Sequence, residues 1–288
     1  MFSPIRASDP SQTGMSRARN RALVVSVVAF DRGVDLPARK GAKRDTKRLH
    51  KVLTRLGFQV DFHTDPTAEE IYQLFKEASE GPVADCFVGV LSSHGEEGVV
   101  FGADGGAVRL ARIFSCFESP AMVGKTKLFF IQACRGVELD SGVEVETDSA
   151  PGRAAAEEED NVSHYLSIPI DTAVMFATPP GYSAFMHLTG SVFLQTLCDL
   201  LEEEGGRSLE VTRLMTWLNF RVAYRFQARG GQLAGKKEMP CFVSRLTRQA
   251  FPFADAGGAE PARAKDLQGL NATVLIATST RPRKRSIS

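Results

Sequence analysis

Two side chains with useful chemistry, a thiol and an imidazole, follow two buried segments of the sequence. Cys134 comes shortly after the apolar run 127–131, and His94 comes shortly after the apolar run 86–91. Runs of this length and composition predict buried β-strands. A cysteine at the exposed end of such a strand is poorly placed for packing and well placed for chemistry. If the two strands are parallel neighbours, their carboxyl ends bring the imidazole beside the thiol.

The chemistry that such a pair supports is acyl transfer. A free thiol, with a pKa of about 8.5, is only a few per cent thiolate at neutral pH. A neighbouring histidine makes it a far stronger nucleophile and later protonates the leaving amine. Gly95 leaves room for a substrate, and its N–H and that of Cys134 are candidate oxyanion-hole donors. Either residue taken singly is more often structural, so the prediction of peptide-bond hydrolysis depends on the pair.

Apolar runs and helical repeats alternate along most of the chain. We predict strands at 22–30, 58–62, 86–91, 127–131, 173–177 and 239–243, a hairpin at 99–108, and helices at 42–56, 67–78, 110–117, 192–201 and 209–226. This alternation is typical of an α/β fold with a largely parallel sheet and helices on both faces. Substrate sites of such folds form at the carboxyl ends of the strands, where Cys134 and His94 both fall.

Composition excludes several classes of protein. Of the 288 residues, 43% are hydrophobic and 24% charged, and the formal net charge is +1. These values fit a globular core and give no sign of a nucleic-acid-binding or membrane-binding surface. No apolar run approaches the roughly 20 residues of a membrane helix, and the N-terminus lacks a secretory signal. The five cysteines have no metal-site spacing, so we expect reduced thiols and a cytoplasmic location, with Cys86, Cys198 and Cys241 as small buried side chains.

Three segments lack the pattern of a folded core. Residues 1–20 and 254–288 are rich in small, polar and basic residues and are predicted to be a disordered leader and a disordered tail. Residues 149–165 belong to an acidic stretch and are predicted to be a flexible linker. The basic cluster 281–285 leaves two interpretations open, a nuclear-import or anion-binding segment and a solvated tail.

The sequence resembles the caspases, and among them the executioner caspases most. Residues 132–136 read Gln-Ala-Cys-Arg-Gly, a known caspase signature with a histidine upstream, and residues 93–98 and 168–169 match executioner motifs in family order. The resemblance implies a caspase-like sandwich, with a central, mostly parallel six-stranded sheet and helices on both faces. It also divides the chain into a large-subunit region 21–148, a processing linker 149–165 and a small-subunit region 166–253.

The resemblance assigns residues that read a substrate aspartate. The family uses two arginines and a glutamine for this purpose. Arg39 matches the first arginine and Gln132 matches the glutamine. Pro37 matches the residue whose carbonyl group orients the catalytic histidine. The resemblance therefore implies cleavage of protein substrates after an acidic residue. It implies no cofactor or metal, and neither membranes nor nucleic acids are expected partners.

The predicted substrate loop, residues 181–190, departs from the family pattern. Phe185 matches an aromatic residue that lines the second pocket, and Ser183 stands where executioners usually carry tyrosine. Met186 occupies the position of the second arginine. A hydrogen bond to a charged group is worth about 1.5–3 kcal/mol, so we expect weakened or altered recognition of aspartate rather than its loss.

The resemblance also implies a zymogen that is activated by cleavage of the linker. Asp148, at the end of Val-Glu-Thr-Asp, and Asp160, after two glutamates, are the predicted processing sites for an upstream protease or for the enzyme itself. In the family, pairs of large and small subunits dimerise through the last strand, which corresponds here to residues 239–246. The basic tail adds the nucleus as a second expected location.

Two alternative functions stay open beside an apoptotic, executioner-like caspase. Relatives that cleave after arginine or lysine need an acidic pocket, and Arg39 argues against one. A catalytically weakened or specificity-shifted homologue that acts as a dimerisation partner or regulator is indicated by Met186. The intact Cys134, His94 and Gln132 argue against complete inactivity.

Overall fold

The computed structural model describes residues 18–141, 168–229 and 231–254. The predicted processing sites Asp148 and Asp160, the linker 149–165 and the tail from residue 255 onward lie outside the described residues. Within them, no helix is long and apolar enough to cross a bilayer.

The described residues contain eleven strands in three sheets. They are β1 (Arg21–Ser26), β2 (Gln59–Thr64), β3 (Cys86–Ser92), β4 (Gly95–Glu96), β5 (Val99–Phe101), β6 (Ala107–Arg109), β7 (Thr126–Gln132), β8 (Thr172–Phe176), β9 (Met186–His187), β10 (Gly190–Ser191) and β11 (Cys241–Ser244). The central sheet has six strands in the order β11-β8-β7-β3-β1-β2. Every neighbouring pair in it is parallel except β8 and β11. The predicted α/β class and the mostly parallel six-stranded sheet are confirmed.

Helices cover both faces of the central sheet. They are α1 (Ala42–Arg55), α2 (Ala68–Glu80), α3 (Leu110–Cys116), α4 (Val192–Glu202), α5 (Glu204–Arg207) and α6 (Val211–Arg225), with 3₁₀ turns at Pro120–Met122 and Gly231–Leu233. Buried residues of α1, α4 and α6 share one core cluster with alternate strand residues. Those of α2 and α3 share the other. Strands buried on both faces explain why the central runs are continuously apolar rather than alternating.

Three boundaries differ from the prediction. β1 ends at Ser26 instead of residue 30, because the N–H groups of Val28 and Ala29 donate to the Asp65 carboxylate and not to a strand. The predicted loop 181–190 contains a short hairpin of β9 and β10. The last strand begins at Cys241 rather than residue 239, since the preceding residue is a proline without an N–H for the ladder.

Candidate active site

The predicted catalytic pair, Cys134 and His94, lies where two central strands end. β3 and β7 are parallel neighbours, with Ser92 paired opposite Gln132 in the last register position. The segments that carry His94 and Cys134 therefore leave the sheet side by side. A Cβ atom built on Gly95 would lie 3.3 Å from the Cys134 carbonyl oxygen, so these two segments are in direct contact. The two segments are adjacent, as the sequence predicts, and the pairing of the thiol with the imidazole stays a prediction.

Hydrogen bonding and stacking fix the ring of His94. Its Nε2 lies 2.9 Å from the Pro37 carbonyl oxygen, and its ring stacks on Phe30 with 5.4 Å between centroids. A carbonyl oxygen only accepts, so Nε2 carries the proton and Nδ1 keeps a free lone pair. Burial lowers the pKa of His94 below its usual value, the Pro37 bond raises it, and the charge of Arg39 lowers it further. The neutral form, which acts as a base, therefore dominates at neutral pH.

Arg39 is a buried cation next to this pair. Its side chain donates to the Val27 carbonyl oxygen at 2.7 Å and to Ser92 Oγ at 2.9 Å, and it is only 6% exposed. Burial lowers the pKa of Arg39 to about 10, against the raising effects of Asp45 and Cys134. The guanidinium still holds its proton at neutral pH. The loop after β1 thus delivers one positive charge to the carboxyl edge of the sheet.

Gln132 lies opposite Ser92, the residue whose hydroxyl accepts from this cation. Gln132 is 2% exposed, and its Oε1 has no hydrogen-bond partner within the described residues. Ser92 connects the two residues, since it is paired with Gln132 in the sheet and accepts from Arg39. Oε1 and a carboxylate both only accept, so the Gln132 group that suits a substrate carboxylate is its Nε2 amide, the donor end of this side chain.

The substrate loop lies against the thiol. The N–H of Ala184 donates to Cys134 Sγ at 3.4 Å. The Ser183 hydroxyl donates to the Gly136 carbonyl oxygen at 3.1 Å, so this side chain ties the substrate loop to the segment after the cysteine. Ser183, which the resemblance assigned to the second pocket, is engaged within the protein in this structure.

Phe185 and Met186 occupy different surroundings. The Phe185 ring packs on Phe226, with 5.1 Å between centroids. Met186 reaches the start of α1. A Cβ atom added to Gly41 there would lie 2.8 Å from the Met186 sulfur. Since Gly41 follows the Arg39 loop, Met186 does lie next to the predicted aspartate-reading loop. Its thioether adds no charge there.

Asp45 was not singled out from the sequence, yet it anchors the hairpin of β9 and β10, the substrate hairpin. It is fully buried in α1 and accepts from the Ser191 N–H at 2.9 Å and from Gln195 Nε2 at 2.7 Å. Burial raises the pKa of Asp45, whereas these bonds and the Arg39 charge lower it. The sequence did contain a sign of this burial. Asp45 lies on the same helical face as Leu49 and Val52, which is the apolar face that packs against the core.

Glu238 was also missed. It is 1% exposed, and its Oε2 accepts from the Phe185 N–H at 2.7 Å. Its Oε1 has no hydrogen-bond partner in the described part of the chain. Burial raises the pKa of Glu238 to about 8, against the lowering effect of the Phe185 bond. The sequence around it is a polar loop, which gave no sign of a buried carboxyl group.

The predicted buried cysteines differ from one another. Cys86 and Cys198 are buried as expected, and burial raises the pKa of both thiols. Cys241 is only partly buried and accepts from Arg135 at 3.3 Å. The expectation of a simple apolar side chain was wrong there, because the arginine after the catalytic cysteine points into the protein and pairs with Glu97 at 3.0 Å.

Comparison with known proteins identifies the family. The family model of the caspase domain matches residues 19–251. The chain belongs to the caspase family. It is 34% identical to caspase-7 of Gallus gallus over 80% of this chain and 76% of that protein. Caspase-3 of Mesocricetus auratus is 34% identical over 80% of this chain and 82% of its own length.

A solved structure agrees with this assignment. The crystal structure of caspase-1 from Spodoptera frugiperda superposes with a TM-score of 0.70 and 29% identity, covering 88% of this chain and 99% of that one. The caspase-like fold is confirmed, and membership of the caspase family supports a cysteine protease of the caspase type. Cys134 and His94 fall at the strand ends that this chemistry requires.

Proposed function

We propose that this caspase is an executioner-like endopeptidase that cleaves peptide bonds after aspartate. The observation that carries the proposal is the buried, protonated Arg39, which donates to the Ser92 hydroxyl opposite Gln132, at the sheet edge that holds the catalytic pair. A carboxylate there gains charge-assisted hydrogen bonds from a guanidinium that is already desolvated. A neutral or cationic side chain would leave that guanidinium without an anionic partner.

The proposed reaction uses the two forms of His94 in turn. Its free Nδ1 takes the thiol proton, and the Cys134 sulfur attacks the main-chain carbonyl carbon of the substrate aspartate. The N–H groups of Gly95 and Cys134 hold the oxyanion. The imidazolium then gives its proton to the leaving amine, which leaves an acyl-enzyme. Water, deprotonated by the same imidazole, hydrolyses this thioester and restores the thiol. Substrate binding must first displace the Ala184 N–H from the sulfur.

The pocket that we propose is weaker than one with two arginines. Met186 reaches the position where the family has its second arginine, and it contributes no charge. An additional hydrogen bond to a charged group is worth about 1.5–3 kcal/mol. The proposed enzyme therefore cleaves after aspartate with a lower kcat/KM than a two-arginine relative. Pairing of a substrate with the backbone of the hairpin does not depend on this side chain.

Activation by linker cleavage and dimerisation complete the proposal. Val-Glu-Thr-Asp ending at Asp148 is the proposed main processing site, with Asp160 as the second. Among the described residues, β11 is the outer strand of the central sheet and has β8 as its neighbour, so its other edge is available to a second copy. The family pattern of two large and small subunit pairs fits this edge.

A peptide library tests the proposed specificity. The purified, processed protein and its Cys134→Ala variant would be incubated with fluorogenic tetrapeptides that vary only in the last residue. We expect cleavage of Asp peptides at least tenfold faster than of Glu or Asn peptides, and none by the variant. Equal rates for Asp and Asn would overturn the aspartate assignment. No cleavage by the folded parent would favour the regulatory homologue instead.

Fragment masses test the processing sites. Expression of the parent should yield two fragments that separate after Asp148. Asp148→Ala should shift cleavage to Asp160 or abolish it, whereas Asp160→Ala should leave the first cut in place. Unchanged fragments from Asp148→Ala would remove this site from the proposal.

A further inference from the structure

The outer side of α1 concentrates positive charge that the catalytic site does not use. α1 contains six basic residues and one acidic residue, whereas the whole chain has a formal net charge of +1. The acidic residue, Asp45, is buried on the other side of the helix. Lys43, Lys47 and Lys51 are exposed and recur every four residues, which aligns them along one side. No ion pair joins them to an acid among the described residues.

An apolar hollow adjoins these lysines. A depression of about 370 Å³ lies between α1 and β2, with Lys43, Lys47, His50 and Phe62 in its walls. Phe62 is 53% exposed, and the His50 ring meets it edge-on at 5.4 Å between centroids. In the part of the chain that the structure describes, β2 is the outer strand of the central sheet and has β1 as its one neighbour. The surface therefore combines an exposed aromatic wall with a cationic border.

This surface begins at the rim of the candidate cleft. A Cβ atom on Gly41, the residue before α1, would lie 1.9 Å from the His187 carbonyl oxygen. The helix thus starts against the substrate hairpin. Its 14 residues extend about 21 Å away from there at 1.5 Å per residue. A substrate segment that binds along α1 is therefore separate from the few substrate residues that bind in the cleft.

We propose that Lys43, Lys47 and Lys51, together with the hollow at Phe62, form an exosite for an acidic segment of protein substrates. The proposal rests on the proposed proteolytic function. Its occupant is an aspartate- or glutamate-rich segment with one apolar side chain, because carboxylates complement the three unpaired ammonium groups and an apolar side chain fits against Phe62. The same patch of a second copy would be repelled by its like charge.

The expected gain follows from the exposure of the lysines. One exposed ion pair changes an equilibrium constant by about two- to fivefold, so three pairs give about tenfold or more. The screening length falls from about 10 Å at 0.1 M salt to about 3 Å at 1 M. An exosite of this kind therefore lowers KM at low salt and has little effect at high salt.

Two matched protein substrates test the exosite. Both carry the same cleavable tetrapeptide ending in Asp, and they differ in a flanking segment that is either Glu-rich with one Leu or Gln-rich with one Leu. Lys43→Gln/Lys47→Gln/Lys51→Gln would be compared with Lys76→Gln/Arg213→Gln/Arg229→Gln, which removes three exposed charges elsewhere. We expect the acidic flank to raise kcat/KM about tenfold at 50 mM salt in the parent and the control, through KM. The gain should vanish in the α1 variant, while a free tetrapeptide is cleaved equally by all three.

Binding to the inactive protein separates the exosite from the catalytic proposal. Fluorescence anisotropy with Cys134→Ala needs no turnover, so it reports on the exosite even if cleavage after Asp fails. Binding of the Glu-rich substrate that is about tenfold tighter than binding of the Gln-rich one, and dependent on the α1 lysines, supports the exosite. Equal binding of the two substrates, or loss of the difference in the control variant too, would overturn it. Binding of a single-stranded RNA to α1 without binding of the Glu-rich substrate would overturn it in favour of a nucleic-acid site.

Discussion

The two walls of the candidate cleft are built in different ways. His94 and Cys134 follow directly on β3 and β7, so their spacing is set by the hydrogen-bond register of two central strands. The facing wall is the substrate hairpin around Met186, in which β9 and β10 pair with each other. The loop before it is bonded through Tyr182 and Ser183 to the backbone of Arg135 and Glu138. Side chains from elsewhere hold the hairpin, chiefly the buried carboxyl groups of Asp45 and Glu238. The wall that carries His94 and Cys134, the catalytic wall, takes its rigidity from the sheet. The wall formed by the substrate hairpin, the reading wall, depends on a few buried polar contacts.

This difference predicts where the protein tolerates change. A substitution in the catalytic wall alters the chemistry without altering the fold. A substitution among the supports of the hairpin alters stability and KM together. A substitution on the hairpin itself, such as the methionine at 186, changes selectivity and leaves the catalytic pair intact.

Removal of the thiol should have the largest effect. Cys134→Ala should reduce kcat/KM for an Asp peptide by about 10³-fold or more, because no other group replaces the nucleophile. The melting temperature should change by no more than about 2 °C, since the residue lies at a strand end outside the main core. A large fall in melting temperature would show that the catalytic wall is also a structural support, which contradicts the comparison.

Loss of Asp45 should break the other wall. Asp45→Ala leaves the buried Ser191 N–H and the Gln195 amide without their acceptor, at a cost of about 1–3 kcal/mol. We expect the melting temperature to fall by about 3–10 °C and KM to rise more than kcat falls. Asp199→Ala removes the same charge from an exposed pair with Arg48 and should cost under about 1 kcal/mol. Equal effects of the two variants in differential scanning fluorimetry would disprove the anchoring role.

Glu238 should make the stability of the reading wall depend on pH. Burial raises the pKa of Glu238 to about 8, above the roughly 4.3 of an unfolded chain. Between these values the folded state holds a proton that the unfolded state has released. The stabilising contribution is therefore complete below about pH 4 and is lost as the pH rises to about 8.

Glu238→Gln keeps an acceptor for the Phe185 N–H and removes the titrating group. The variant should be more stable than the parent at pH 8, by on the order of 4 kcal/mol, and close to it at pH 5. Thermal unfolding of both proteins across this range measures the difference, in which the other titrating groups largely cancel. A difference that stays constant from pH 5 to 8 would contradict the buried, protonated carboxyl group.

A positive charge at residue 186, where the family has its second arginine, should have the smallest effect of these substitutions. Met186→Arg should raise kcat/KM for Asp peptides by about tenfold, the lower end of the value of a charged hydrogen bond. Met186→Leu, which keeps the side chain apolar, should stay within about twofold of the parent. No gain from the arginine would mean that residue 186 does not reach the substrate aspartate.

The catalytic wall was predictable from the sequence, whereas the buried carboxyl groups that support the reading wall were not. Continuous apolar runs mark β3 and β7, and parallel neighbours necessarily end at the same edge of the sheet. Arg39 and Pro37 were found only through the family resemblance, because a basic loop has no pattern of its own. The contact from Asp45 to the hairpin spans 146 residues of sequence. No local periodicity encodes such a contact, so the carboxyl supports had to be read from the structure.

The central claim is that one buried guanidinium, that of Arg39, selects aspartate. Its most direct test is the ratio of kcat/KM for two tetrapeptides that end in Asp and Asn, measured with the parent and with Arg39→Gln. We expect the ratio to fall by about 10- to 150-fold in the variant, as a charged hydrogen bond is worth about 1.5–3 kcal/mol, while cleavage of the Asn peptide changes little. A folded Arg39→Gln protein with the same Asp-to-Asn ratio as the parent would contradict the account.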